Sequence, residues 1–411
     1  MQTNNDQWSL AHKMLFRYVM VYFLLMLTSD FGGELLFTLI KWTGKNIFQL
    51  PQEITIKPNG SGDTTYNYVQ VFLWMVFSLF ITVVWTLLDK KRKNEGLLSY
   101  CTRILVRYYL AFTLLSYGAA KILQLQFGYP TLSDLLEPLG EMSPMGLAWN
   151  FMGYSRGYNL FTGGAEALAG VLLLFRRTSL LGALLSFAVM LNVFAMNMAF
   201  DIPVKLFSAH LTFFSAWLAA HDGRRLVNMF ILNKPVTAAD LHRIRLPKKW
   251  MRVSETVVKI VLTLGILIVP FVTTLNYKKQ ENTAKHALYG IYTVDQFVLN
   301  GDTLPPLTTD TVRWKQLVSN WPGYVGIKTM ADSSLGLQLN LDTVGKKAEL
   351  GQYNSDSNYQ FIYEKPAADI LILRGRRAAD SLWISFKRFD ENKFLLNSRG
   401  FHWINEYPFN R

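Results

Sequence analysis

Several stretches of this chain are apolar over the length of a membrane crossing, and three of them contain an ionisable residue at a similar depth. A helix that spans the roughly 30 Å hydrocarbon core of a bilayer needs about 20 mostly apolar residues. A charged side chain inside such a helix costs roughly 2.5–3.5 kcal/mol on insertion scales, so it persists only where it is paired or used. The three residues are Lys121, Glu166 and His210. The sequence therefore predicts an integral membrane protein with a polar site inside its helix bundle.

The composition agrees with a membrane protein. Of the 411 residues, 50% are hydrophobic and 17% are charged, whereas soluble domains carry about 25% charged residues. Hydropathy predicts an α-helical bundle of about seven spans. They cover about 14–40, 69–88, 99–126, 158–175, 178–199, 204–220 and 256–275. The first is treated as one tilted span, although Asp30 and Glu34 interrupt its outer half. These two carboxylates are expected to face the outer headgroups, with a place in the polar site as the alternative.

The net charge of +13 follows the predicted topology. Basic residues are concentrated after the second, fourth and sixth spans, and the opposite loops contain few of them. The basic residues are Lys90, Lys91, Arg92, Lys93, Arg176, Arg177, Arg224, Arg225, Lys234, Arg243, Arg245, Lys248, Lys249 and Arg252. The protein is expected in the inner membrane. The positive-inside rule then predicts that its N terminus is cytoplasmic and that the segment after the last span is exported. Lipid headgroups, not nucleic acid, are the expected partner of this charge.

The predicted domains follow from this topology. Two N-terminal spans with their outer loop occupy 1–98, a four-helix unit occupies 99–220, and a basic cytoplasmic loop occupies 221–255. The last span lies in 256–279. Residues 280–411 contain short runs rich in Tyr, Ile, Val and Phe, divided by Gly, Pro, Asn and Asp. Seven or eight such strands predict an antiparallel β-domain, either a small barrel or a sandwich.

Two segments receive more specific predictions. Leu288–Gly301, with its Asn-Gly turn, is similar to the first strand of a lipocalin-like barrel. The outer segment 127–157 is rich in aromatic residues and predicts a short helix. That helix lies either across the mouth of the bundle or in an ordinary loop at the headgroups.

Polar residues from four neighbouring spans are predicted to share one layer in the outer third of the bundle. Counted from the outer end of each span, Lys121 and His210 lie roughly 9 Å deep, Asn192 roughly 11 Å and Glu166 roughly 12 Å. These four residues are the hypothetical ligand-binding set, and the hypothetical mouth consists of Asn197, Asp201 and Lys205.

Small residues along the fourth span, Gly163, Ala167 and Gly170, predict a close approach by a neighbouring helix. Three interpretations of the polar layer stay open. Lys121 and Glu166 could pin helix packing as a neutralised pair. The layer could instead bind a quinone or another small redox ligand, or it could handle protons or solutes. Arg103 and Arg107, one turn apart near the cytoplasmic end, are expected to snorkel to phosphates.

The same residues carry a family resemblance. The stretches RYYLAFTLLSYGAAKIL, FTGGAEALAGVLLLFRRTSLLGALL and NMAFDIPVKLFSAHL resemble the DoxX-like membrane proteins. That family has a four-helix unit with a Gly-x-x-Lys on its first helix and a Gly-x-x-Glu on its second. Gly118 with Lys121, and Gly163 with Glu166, match these positions. The resemblance covers about 99–220, and the additional helices and the β-domain depart from the family pattern.

The resemblance implies a link to respiratory or redox membrane complexes, because some DoxX-like proteins are subunits of thiosulfate:quinone oxidoreductase. The leading hypothesis is a membrane component that binds a quinone or a similar amphipathic ligand and associates with a respiratory or periplasmic protein. The alternative is a non-enzymatic scaffold or assembly factor whose β-domain recruits a partner. The single cysteine, Cys101, argues against a disulfide-forming enzyme, and the sequence contains no metal-binding motif. Catalysis is left undecided.

Overall fold

A computed structural model describes residues 8–28, 33–55, 60–89, 95–238, 248–281, 286–352 and 358–410. The chain divides into two compact units. The first contains Met1–Gln126 and Gly157–Asn276, and the second contains Phe127–Arg156 and Tyr277–Arg411.

The described residues form eleven α-helices and nine β-strands. The helices are α1 (Leu10–Thr28), α2 (Gly33–Asn46), α3 (Thr65–Leu88), α4 (Gly96–Ile122), α5 (Pro144–Tyr154), α6 (Arg156–Leu174), α7 (Ser179–Ala199), α8 (Lys205–Ala220), α9 (Gly223–Phe230), α10 (Lys249–Glu281) and α11 (Leu395–Ser398). The strands are β1 (Gly290–Leu299), β2 (Asp302–Thr303), β3 (Trp314–Ser319), β4 (Tyr324–Thr329), β5 (Ser334–Asp342), β6 (Lys347–Gly351), β7 (Tyr359–Ala367), β8 (Ile370–Arg377) and β9 (Asp380–Phe389).

Four of the described helices, α1, α3, α7 and α10, are long and apolar enough to cross a membrane. The predicted spans 99–126, 158–175 and 204–220 correspond to α4, α6 and α8. These three helices are shorter or less apolar, and the 16 residues of α8 extend only about 24 Å at a helical rise. Length and apolarity therefore identify four candidate crossings among the described helices, fewer than the seven that hydropathy predicted.

The first predicted span, 14–40, is divided between two helices. Helix α1 ends at Thr28 and α2 begins at Gly33, whose φ of +50° is a backbone conformation that suits glycine. Glu34 lies in the first turn of α2, where a carboxylate interacts favourably with the helix dipole. Asp30 lies outside the described residues. The single tilted span predicted here is therefore replaced by two helices.

Glycines allow α4 and α6 to pack with their backbones in contact. A Cβ atom added at Gly118 would lie 2.8 Å from the carbonyl oxygen of Gly163, and one added at Gly163 would lie 2.8 Å from that of Gly118. Further along, a Cβ at Gly170 would lie 2.9 Å from Leu115 Cγ. All three distances are too short for a real side chain. This contact confirms the close approach that the small residues of α6 predicted.

The β-domain is an antiparallel barrel, so the barrel alternative is confirmed and the sandwich is excluded. Strands β3 to β9 pair in sequence order, and β1 pairs with both β3 and β9 to close an eight-stranded barrel. Strand β2 is short and pairs only with the last two residues of β1. The turn between them consists of Asn300 and Gly301, both at positive φ, as two-residue hairpin turns require.

Apolar side chains fill the interior of the barrel. They form one buried cluster with contributions from strands all round the sheet. At its centre the Trp314 ring lies 5.3 Å from the ring of Tyr359 and 6.1 Å from those of Phe297 and Phe361, measured between centroids. A core of this kind is typical of eight-stranded barrels, whose lumen is just wide enough for side chains.

The segment Phe127–Arg156 belongs to the same unit as the barrel, although it lies between α4 and α6 in the sequence. The Asn320 side chain fixes it by accepting from the Leu132 amide at 3.0 Å and donating to Ser133 Oγ at 2.7 Å. Leu132 is buried beside Val318. The segment contains α5, so the helix predicted there is present.

The α4–α6 contact gives a direct test with a neighbouring control. Gly163→Ala forces its new Cβ against the backbone of α4, and overpacking of this kind typically costs about 1–3 kcal/mol. Gly164→Ala adds the same methyl group where no atom lies within 4 Å. We expect Gly163→Ala to lower the melting temperature of the detergent-solubilised protein and Gly164→Ala to leave it nearly unchanged. Equal melting temperatures for the two variants would contradict the packing.

Candidate functional site

Lys121 and Glu166 form an ion pair at the glycine contact between α4 and α6. Lys121 Nζ donates to Glu166 Oε1. Each residue follows a contact glycine by three positions, so it projects from the same helix face one turn further along. Lys121 is 4% exposed and Glu166 is 1% exposed. The two Gly-x-x motifs therefore place opposite charges together in the interior of the first unit.

Only one oxygen of the Glu166 carboxylate has a hydrogen-bond partner within the described part of the chain. Oε1 accepts from Lys121, whereas Oε2 is buried with no hydrogen-bond partner among the described residues. Leaving a buried polar atom unsatisfied costs about 1–3 kcal/mol, and more for a charged group. The site therefore presents a buried acceptor to a proton, a water molecule or a ligand that carries a donor.

His210 binds a different part of the bundle. Its Nδ1 lies 2.6 Å from the carbonyl oxygen of Leu206, and its Nε2 lies 2.5 Å from the Tyr22 hydroxyl on α1. Because a carbonyl can only accept, Nδ1 carries the proton, and the neutral ring accepts from Tyr22 through Nε2. The Tyr22 and His210 rings also stack with centroids 5.7 Å apart. The Nδ1 bond thus fixes the ring within α8, and the Nε2 bond joins α8 to α1.

The remaining member of the predicted layer, Asn192, is exposed on α7. It is therefore not part of the buried pair. The four-residue layer separates into the Lys121–Glu166 pair, the His210–Tyr22 contact and an exposed Asn192. The prediction rested on the similar depths of the four residues along their helices. Depth does not determine in which direction a side chain points around the helix axis.

The predicted mouth residues lie around the turn between α7 and α8. Asn197 is buried, and its Nδ2 donates to Ser208 Oγ at 2.9 Å. Asp201 is exposed and forms an ion pair with Lys205 at 2.8 Å. Asn197 thus stabilises the turn through a buried hydrogen bond, and Asp201 and Lys205 lie at the surface of the turn.

Asp63, which the sequence analysis did not single out, caps the N terminus of α8. Its two carboxylate oxygens accept from the backbone amides of Lys205 at 2.7 Å and Leu206 at 2.9 Å. A carboxylate at this position satisfies amides that have no partner within the helix and complements the helix dipole. Asp63 and Lys205 lie 142 positions apart, so the local sequence gave no signal for this contact.

A second buried ionic cluster was also missed. Arg17 on α1 is 1% exposed, and its Nε donates to Glu95 Oε1 at 3.0 Å. Its Nη2 donates to Asp89 at 3.0 Å and its Nη1 to Thr86 at 3.1 Å. The guanidinium therefore joins α1 to the end of α3 and the start of α4. The charge of Arg17 inside an apolar run was the available sequence signal, but its partners lie 69 to 78 positions away.

Comparison with known proteins identifies one relevant relative. "Uncharacterized protein YwoB" of Bacillus subtilis (strain 168) is 38% identical over 124 residues, which is 30% of this chain and 79% of that protein. No family model matches the chain, and no solved structure matches it. The similarity thus extends over most of the relative and over less than a third of this chain.

The buried pair predicts a strongly non-additive double-mutant cycle. Glu166→Leu or Lys121→Met alone leaves an uncompensated buried charge, which typically costs about 3–5 kcal/mol. The double variant removes both charges, and an apolar replacement of a buried pair is often close to neutral. We expect chemical unfolding in detergent to show two unstable single variants and a double variant nearer the wild type. Additive losses would mean that the two residues do not act as a pair.

Proposed function

The chain belongs to the same family as YwoB, whose name assigns no activity, and we propose that its helical unit binds a quinol-class ligand through Glu166. The observation that carries this proposal is the buried Glu166 Oε2, for which the described residues supply no hydrogen-bond partner. Oε1 is already held by Lys121, so the position of the second oxygen is fixed by the ion pair. A fixed and desolvated acceptor binds a donor more strongly than a mobile, hydrated one does.

The chemistry of the free oxygen selects between the two redox forms of such a ligand. An ionised carboxylate only accepts hydrogen bonds. A hydroquinone carries hydroxyl groups that can donate to Oε2, whereas the oxidised quinone has only carbonyl acceptors. Hydrogen bonds to charged groups contribute about 1.5–3 kcal/mol. We therefore expect the reduced form to bind more tightly, with Glu166 as its acceptor and Lys121 as the group that holds Glu166.

The residues that resemble the DoxX-like family support the same proposal. Gly118 with Lys121, and Gly163 with Glu166, are the positions that match the family pattern, and in the structure they form one contact. The resemblance implies a redox-associated membrane component. Under this proposal α4, α6 and α8 cross the membrane together with α1, α3, α7 and α10, which gives the seven spans that hydropathy predicted. The N terminus is then cytoplasmic and the barrel is exported, because the basic loops follow alternate spans.

The proposal is tested by ligand-dependent stability of the full-length protein in mild detergent, with a short-chain benzohydroquinone as the probe. We expect the probe to raise the melting temperature of the wild type more than its oxidised form does. Glu166→Gln presents a donor where Oε2 accepts, so it should weaken binding roughly tenfold or more. Glu95→Gln, which alters a buried carboxylate of the Arg17 cluster, is the matched control and should keep the wild-type response. An equal response of Glu166→Gln and the wild type would refute the proposed site.

A second function, a scaffold that recruits a partner, is supported by a separate feature. The C-terminal segment after α11 exposes large apolar side chains in a short stretch: Phe401 is 78% exposed, Ile404 77%, Tyr407 83% and Trp403 91%. Arg399 holds this stretch in place by donating to Asn405 at 2.6 Å. Contiguous exposed apolar surface of this kind is typical of interaction sites.

Substitutions in this stretch separate the two functions. If the chain is a scaffold, Trp403→Ser combined with Tyr407→Ser should remove a specific protein that co-purifies with the wild type, as identified by mass spectrometry. Trp321→Ser, which alters another exposed tryptophan of the same unit, is the control and should retain that protein. Identical sets of co-purifying proteins for all three would refute the scaffold, and an unchanged melting temperature would show that the variants remain folded.

A further inference from the structure

A polar cavity in the helical unit lies far along α4 from Lys121, near the opposite end of that helix. It has a volume of about 460 Å³ and is enclosed by α4, the end of α6, the start of α7, the end of α8 and α9. Five arginines line it, together with a single carboxylate, Asp222. The arginines are Arg103, Arg107, Arg176, Arg177 and Arg225. Five guanidinium groups against one carboxylate leave four positive charges uncompensated within this lining.

Three of the arginines have structural partners that fix them in the wall. Arg107 donates to the carbonyl oxygens of Leu173 at 2.9 Å and Leu174 at 3.1 Å, so it caps the C terminus of α6. Arg225 donates to Asp222 at 2.5 Å. Arg176 donates to the Tyr100 hydroxyl. These contacts hold the charges in place, but apart from Asp222 none of these partners is an anion.

Arg103 carries an unsatisfied hydrogen-bond donor in this cavity. Its Nε is buried and has no hydrogen-bond partner among the described residues. Arg107, one turn further along α4, lines the same wall. A buried guanidinium N–H without an acceptor is unfavourable, since it has lost water and gained nothing. Planar guanidinium groups bind phosphate through paired hydrogen bonds, and a phosphate would supply the missing acceptor.

The N terminus of α7 adds to the attraction for an anion. Ser179, Leu180 and Leu181, the first residues of this 21-residue helix, line the cavity. The residue before them, Thr178, makes no side-chain capping hydrogen bond. Helix N termini present unpaired amides and a partial positive charge, and both favour phosphate.

An apolar cleft of about 310 Å³ adjoins the arginine cavity. The two share Tyr100, Ile104, Arg107 and Arg176 as a common wall. Leu97, Val258 and Leu262 supply the apolar surface of the cleft between α4 and α10. A ligand that occupies both spaces has an anionic group at one end and a hydrocarbon group at the other.

Helix α9 places this site at the level of lipid headgroups. Arg225 lines the cavity, whereas Val227, which does not line it, is 43% exposed and Ile231, which follows the helix, is 71% exposed. A short helix with a basic face and an apolar face lies in the plane of a membrane interface. The phosphates of surrounding lipids are found at that depth.

We propose that the arginine cavity binds the phosphate group of an anionic lipid, with its acyl chain in the cleft between α4 and α10. Arg103 and Arg177 are the residues that contact the phosphate, and the arginines that are fixed in the wall supply the surrounding charge. The site shares no residue with the proposed quinol site, so either one can fail without the other.

Native mass spectrometry of the full-length protein from mild detergent tests this proposal with three probes: phosphatidic acid, phosphatidylcholine and inorganic diphosphate. We expect phosphatidic acid to bind in preference to phosphatidylcholine. Arg103→Gln and Arg177→Gln should each weaken the binding of phosphatidic acid roughly tenfold, because each variant loses a hydrogen bond to a charged group. Arg224→Gln removes the same charge from an exposed residue of α9 that does not line the cavity, and it should bind like the wild type.

Leu262→Trp distinguishes a lipid from a free phosphate. The larger side chain fills the cleft and leaves the arginine cavity open. It should therefore weaken the binding of phosphatidic acid but not the binding of inorganic diphosphate. If diphosphate binds as tightly as phosphatidic acid and Leu262→Trp affects neither, the lipid assignment is wrong and the site belongs to a soluble phosphate compound. Equal lipid binding by the Arg103, Arg177 and Arg224 variants would refute the site itself.

Discussion

The backbone contact between α4 and α6 determines the chemistry of the helical unit. Gly118 and Gly163 bring the two helices so close that no side chain fits between them, and each is followed one turn later by an ionisable residue. The ion pair is buried because the glycines remove the space that solvent would need. A buried pair stabilises little by itself, since the cost of removing two charges from water offsets their attraction. Its value lies in fixing the orientation of Glu166.

The bundle contains two kinds of buried charge, and the difference between them separates structural from functional candidates. The guanidinium of Arg17 has acceptors on all three of its nitrogens and connects three helices. Glu166 and Arg103 each keep one buried polar atom without a partner among the described residues. A buried charged group whose hydrogen bonds are all made within the protein is explained by packing alone. A buried charged group with an unpaired donor or acceptor is a candidate for binding a ligand. Both proposed ligand sites rest on this distinction.

Local patterns in the sequence predicted most of the architecture, and long-range contacts account for what they missed. Strand-length runs and an Asn-Gly turn were sufficient for the β-domain, because alternation and turn chemistry are local properties. The similar depth of Lys121 and Glu166 in their spans was sufficient to predict that the two residues pair. The sequence could not show that His210 contacts Tyr22, 188 positions away, or that Asn192 points outward. Both depend on the rotation of whole helices, which tertiary packing sets.

The closure of the barrel has a consequence for how the domain is made. Its first strand pairs with its last, so that Ile291 lies opposite Phe389. During synthesis, every earlier strand emerges while one edge of the growing sheet still has unpaired amides and carbonyls. Such edges are prone to pair with other chains, and contacts this distant in sequence form slowly. A chain that lacks β9 would therefore expose an open sheet edge that is prone to aggregation.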